Sequence, residues 1–100
     1  MVIVSVLYPN DAGARFDLGY YRDTHLPLVR RLLEPCGMRA LTWVLPAGNG
    51  AAFRLMAELR FDTMAQAEAG LGLHGAQTQA DIVNFTEIVP VVLLGEQFVA

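Results

Sequence analysis

The chain has 100 residues, of which 54% are hydrophobic and 17% charged, with a formal net charge of −3 and a mean hydropathy of +0.38. One domain spanning residues 1–100 is expected at this length, and so apolar a small chain implies burial against something outside itself, a second copy or a membrane. The charge balance offers no basic stripe for nucleic acid, and the longest apolar runs, Val2–Tyr8 and Ile88–Leu94, are far shorter than the ~20 residues of a membrane span.

The first residues carry neither a charged n-region nor a cleavage site, so no signal peptide is expected. Cys36 is the single cysteine. That excludes an intrachain disulfide and fits a reducing cytoplasm. With only His25 and His74 beside it, a structural zinc site is not expected.

Met1–Tyr8, rich in valine and isoleucine and closed by the turn residues of "PNDAG", reads as a strand. Asp17 is positioned as an N-cap, with Phe16 and Tyr21 spaced as a hydrophobic staple. The helix that follows should stop at Glu34–Gly37, where Pro and Gly cluster. Met38–Leu45 and Ala52–Phe61, separated by "PAGNG", read as a hairpin. In its second strand Phe53, Leu55, Ala57, Leu59 and Phe61 share one face, and Arg54, Met56, Glu58 and Arg60 the other.

Asp62 and Thr63 open a second helix, with Thr63 and Gln66 at capping-box spacing. Gly70, Gly72 and Gly75 are expected to weaken it and divide it from a separate piece at Ala76–Val83, leaving His74 in a loop at a helix end. Glu87–Gly95 is the last expected strand, and Pro90 within it argues for a sheet edge.

The order β-α-β-β-α-β implies an α+β, ferredoxin-like fold: a four-stranded antiparallel sheet with both helices on one face. Such a sheet should alternate apolar and wet faces. Here Val2, Val4 and Val6 oppose Ile3 and Leu7, and Val89, Val91 and Leu93 oppose Ile88, Val92 and Leu94. Both faces read as buried. A two-fold copy is the simplest cover for the second face, so a homodimer is expected, its two sheets packed as a dimeric α+β barrel.

On a 3.6-residue wheel Leu18, Tyr21, His25, Leu28 and Leu32 form one stripe toward the sheet, while Tyr20 and Thr24 lie on the far side. His25 therefore points inward. It reads either as a core histidine satisfied by a carbonyl or carboxylate, or as a functional ring, a neutral general base or a hydrogen-bond donor to a ligand. Pro27 removes a helical N–H and pushes Leu26 from helical angles. Either the helix kinks there, or a new segment starts and leaves the N–H groups of Leu28 and Val29 free for an anion beside His25. Tyr21, one turn before His25, is placed to hydrogen-bond a ligand or to sit half in the core.

Asp81, Asn84 and Thr86 form the second polar cluster. They read as a cap-and-turn set, or as ligand contacts reaching a cavity shared with His25. Arg54, Glu58 and Arg60 read as ion pairs at the subunit interface in preference to a substrate anion site, and Trp43 as packing with Leu41 and Leu45.

"VSVLYPN" (Val4–Asn10), "ARFDLGYYRDTHLPLV" (Ala14–Val29) and "DIVNFTEIVPVV" (Asp81–Val92) resemble the EthD family, named for a protein encoded with an ethyl tert-butyl ether degradation system. The resemblance implies a dimeric α+β barrel and a cofactor-free enzyme or catabolic accessory for a small hydrophobic compound. The chemistry it implies is of oxidoreductase, decarboxylase, dehydratase or isomerase type. It carries over Tyr21, His25 and Pro27 from the helix and Asn84, Phe85 and Thr86 from the later segment. A non-catalytic dimer that binds a hydrophobic ligand or a protein partner is the competing expectation. RNA binding fits poorly, because "AAFRLMAELRF" lacks alternating basic and aromatic residues. No phosphate loop or flavin fingerprint is visible, so no organic cofactor is indicated.

Overall fold

Runs of β-branched and aromatic residues form one antiparallel sheet. The computed structural model describes residues 1–100, with strands β1 (Val2–Pro9), β2 (Met38–Val44), β3 (Phe53–Phe61) and β4 (Val91–Glu96) in the order β2-β3-β1-β4. The first strand lies between its partners: Val4 faces Leu59 on one side and Leu94 on the other. β2 and β3 form the expected hairpin, with Trp43 opposite Ala57. Gly48 and Gly50 hold positive φ in the loop between them, which a β-carbon would strain. With both helical segments packed on one face, this is the α+β, ferredoxin-like arrangement.

The last strand begins later than Glu87. Residues before Val91 are bound elsewhere: the Asp17 N–H donates to the Phe85 carbonyl at 2.8 Å, and Phe16 bridges Thr86. Pro90 sits immediately before the ladder and has no N–H with which to extend it. The strand is at the sheet edge, as the proline implied.

Asp17 caps the first helix by accepting from the Tyr20 N–H at 3.0 Å, and the Phe16 and Tyr21 rings meet at 5.7 Å as a staple. The helix then runs as α1 (Leu18–Tyr20), a π-turn (Tyr21–His25) and α2 (Leu26–Leu33), ending in a 3₁₀ turn (Glu34–Cys36) and left-handed Gly37. Pro27 neither breaks it nor starts a new segment. Leu26, before the proline, keeps helical angles (φ −62°, ψ −42°), and its N–H bonds the Tyr21 carbonyl five residues back. The wider turn absorbs the irregularity, where regular α geometry would set the proline ring against the Asp23 carbonyl. It also adds one residue to the turn and rotates all that follows. The inward face of α2 is therefore Leu26, Val29 and Leu33, and Leu28 and Leu32 are only half-buried.

Thr63 and Gln66 form the full capping box at the start of α3 (Met64–Ala80). That helix is continuous. The expected division at the glycines does not occur, and His74 lies within the helix. Gly70, Gly72 and Gly75 all keep negative φ. Gly70 is there for packing: a β-carbon on it would stand 3.2 Å from Cys36 Cβ and 3.3 Å from Leu33 Cδ2. A short 3₁₀ turn, Ile82–Asn84, follows.

The core lies between helices and sheet. One cluster joins Val2, Val4, Leu59 and Phe61 to Val29, Leu33 and Ala67, and a second joins Tyr8, Leu55 and Ala57 to Tyr21, Leu26, Phe85 and Ile88. Trp43 packs edge-on to Tyr21 at 5.5 Å, whereas Leu45 is exposed. On the opposite sheet face Glu58 pairs with Arg60 at 3.1 Å, and Arg54 turns away to the Ala14 carbonyl at 3.2 Å. Val91 and Leu93 on that face are exposed. No helix is long and apolar enough to cross a membrane.

Candidate functional site

The π-turn sets Tyr21 and His25 side by side, their rings stacked at 5.5 Å with 24° between planes. Phe85 closes on the imidazole from another side at 4.6 Å. His25 is 5% exposed, too deep for a histidine without a polar partner. Its partner is Asp81, delivered by the C-terminal end of α3. The Asp81 Oδ2 atom lies 2.9 Å from His25 Nδ1.

Asp81 is itself held. Its Oδ1 atom accepts from the Tyr20 hydroxyl at 2.6 Å and from Asn84 Nδ2 at 3.0 Å, and Asn84 Nδ2 also donates to the Tyr20 oxygen at 3.3 Å. Arg15 anchors the turn that carries these groups by donating to the Val83 and Asn84 carbonyls.

The protonation states follow. Burial pushes the His25 imidazolium down against the pull of Asp81, so the ring is neutral at neutral pH. Burial would raise Asp81, but donation from Tyr20, His25 and Asn84 outweighs it and keeps the carboxyl below the usual range. An ionised Asp81 accepts only, so the His25 proton sits on Nδ1 and Nε2 is left as an acceptor.

His25 lines a cavity of about 80 Å³ between helices and sheet. The sheet contributes Val4, Val6, Tyr8, Ala57 and Val92, and the helices contribute Tyr21, Leu26 and Leu71. Of 18 lining residues, 13 are hydrophobic, so a ligand here would lose water and meet few polar atoms. No group of three or more metal-ligating side chains forms.

Of the residues singled out by sequence, Tyr21 and His25 meet at the cavity wall, while Asp81 and Asn84 stand behind the imidazole. Thr86 does not join them. Its buried hydroxyl donates to the Arg15 carbonyl at 2.6 Å and accepts from the Ile88 N–H at 3.1 Å, and the residue lines a separate, more open depression near Pro90. His74 is half-buried on α3 and does not line the cavity. Tyr20, placed on the far side by the wheel, in fact bonds Asp81. Tyr8 also lines the cavity, and its signal was the alternation that sets it on the face of Val4 and Val6.

No family sequence model matches the chain, and no curated protein matches it. Among solved structures, an EthD-like protein from Ralstonia eutropha JMP134 is 35% identical over 95% of this chain and 89% of its own, with a TM-score of 0.82. The chain belongs to the EthD-like family. An ethyl tert-butyl ether degradation (EthD) family protein from Bacillus halodurans C-125 shares this EthD-like fold at 23% identity, covering 98% of this chain and 99% of its own (TM-score 0.75). A dimeric protein of unknown function and ferredoxin-like fold from Bacteroides fragilis NCTC 9343 shares it at 9% identity, covering 96% and 94% (TM-score 0.56).

Proposed function

We propose that this EthD-like chain is a homodimer that takes a small hydrophobic molecule into the cavity beside His25, and that the imidazole Nε2 atom accepts a proton from it. The observation that carries this reading is the 2.9 Å bond between His25 Nδ1 and Asp81 at the wall of an apolar cavity. A buried, neutral imidazole fixed in one tautomer by a carboxylate is the arrangement a general base needs. Tyr21 is the second ligand-facing group, and Asp81 and Asn84 act through His25 as positioning residues.

Among the reaction types the family suggests, those that begin with proton removal suit such a base: isomerisation, dehydration, or an oxidation that starts from the deprotonated substrate. Cys36 as the single cysteine supports a cytoplasmic setting. The dimer reading is supported by the apolar face of the sheet turned from the helices, where Val91 is 44% and Leu93 53% exposed beside the half-buried Leu7, and by the dimeric state of the Bacteroides neighbour.

A second reading, a non-catalytic carrier, is favoured by the mostly hydrophobic lining. His25→Ala separates the two. The enzyme reading expects turnover of an apolar substrate to collapse while binding and the dimer persist. Saturable binding with no turnover by the unmutated protein leaves the carrier.

A further inference from the structure

The geometry points to Tyr8 as a specificity-determining residue that works with Tyr21: two phenol donors aimed at one carbonyl oxygen of an otherwise apolar ligand. This deepens the cavity-binding reading above and rests on it.

Tyr8 and Tyr21 are each 1% exposed. Neither hydroxyl takes part in any hydrogen bond of the protein, yet no buried side-chain oxygen is left without a partner. Each oxygen therefore keeps some accessible surface, and both residues line the same cavity.

They come from opposed walls, Tyr8 from β1 and Tyr21 from the π-turn, with their rings edge to face at 6.1 Å. Neither can swing away. Tyr8 is held by Phe16 at 5.4 Å and Phe85 at 6.0 Å, and Tyr21 by Trp43 at 5.5 Å and Phe85 at 5.2 Å. Burial pushes both phenols well above their ordinary range, and the neighbouring Tyr8 adds to the push on Tyr21, so both remain protonated donors.

A phenol with no protein partner at the wall of an apolar cavity gives the fold nothing that phenylalanine would not supply. Two such groups beside an imidazole that can only accept give a polar pattern of two donors and one acceptor. The matching ligand class is a small apolar ketone or related carbonyl compound, its oxygen toward the phenols and its acidic hydrogen toward His25. Asp81 stands behind His25, so its charge does not oppose a neutral carbonyl at the phenols.

The test uses the full-length protein with acetophenone, carbonyl-labelled with carbon-13, and α-methylstyrene, which replaces the oxygen by a methylene. The wild type should bind the ketone in preference to the hydrocarbon, with the C=O stretch shifted to lower frequency than in hexane. Tyr8→Phe and Tyr21→Phe should each weaken ketone binding about tenfold, the effect of one hydrogen bond. Each should also reduce the spectral shift, and the double variant should abolish it. Both single variants should melt no lower than wild type, since no protein bond is lost. His25→Gln should keep the shift, so a failed proton transfer there counts against the base and not against the phenols. Failure of the wild type to bind acetophenone overturns the assignment. So does a shift or preference unchanged in Tyr8→Phe, or a lowered melting temperature in that variant.

Discussion

His25 and Asp81 meet at 2.9 Å although 56 residues separate them, one at the end of a π-turn and the other at the end of α3. The contact decides the chemistry of both. The carboxylate fixes the imidazole proton on Nδ1, and the imidazole supplies one of the three donors that keep the carboxylate ionised.

Asp81→Ala leaves His25 Nδ1 and the Tyr20 hydroxyl without their acceptor. Its expected cost is about 1.5–3 kcal/mol, the range for hydrogen bonds to a charged group. Urea denaturation measures it. Thr86→Val, by contrast, removes a hydroxyl that bonds only main chain, and it should destabilise without altering the His25 titration.

The pH dependence has a definite sign. Burial lowers the folded-state value for His25 below its ordinary 6.5. The unfolded chain therefore binds the extra proton first as the solution is acidified. The stability contributed by neutral His25 is complete above about pH 6.5 and is lost as the pH falls through the lower folded value. Asp81, also lowered, adds a second loss only on acidification past its ordinary 3.8. His25→Gln should remove the first decline and keep the second, as read by denaturation midpoints across pH 3–8.

The π-turn makes a register claim. Leu33 is 2% exposed and Leu32 half-buried. Leu33→Ala should cost ~2–5 kcal/mol and Leu32→Ala about 1 kcal/mol or less. An unbulged helix would reverse that order.

Glycines of α3 should divide by environment. A β-carbon on Gly72 meets nothing within 4 Å, so Gly72→Ala should stabilise by roughly 0.5–1 kcal/mol. Gly70→Ala should destabilise, because its β-carbon would press on Cys36 and Leu33. Thermal melts distinguish the signs.

The uncovered sheet face predicts its own failure mode. Leu93→Asp puts a charge on the proposed two-fold interface and should give a monomer in sedimentation while the helical signal persists. A variant that remains dimeric would move the interface elsewhere.

Much of this fold is legible in the residues. The strand order follows from apolar runs and turn residues, the Thr63–Gln66 capping box is complete, and Pro90 marks the edge strand. Three features are not legible, each for a physical reason. A wheel of fixed period cannot see one residue inserted by a π-turn, so the inward stripe of α2 falls on Leu26, Val29 and Leu33 in place of Leu28 and Leu32. Glycine propensity is weak against packing, so α3 stayed whole where Gly70 lets it approach α2. Tyr8 carries no motif, and only its strand face and its place in the cavity wall reveal it. At the site, His25 and Tyr21 could be placed inward from spacing, whereas the Asp81 contact depends on tertiary structure.

Proton transfer at this site turns on the state of one ring, and nitrogen-15 NMR of the His25 imidazole measures it directly. At pH 7 the ring should be neutral, protonated on Nδ1 with an unprotonated Nε2, and should gain its second proton only below its ordinary 6.5. An imidazolium at pH 7, or a proton resident on Nε2, would contradict it.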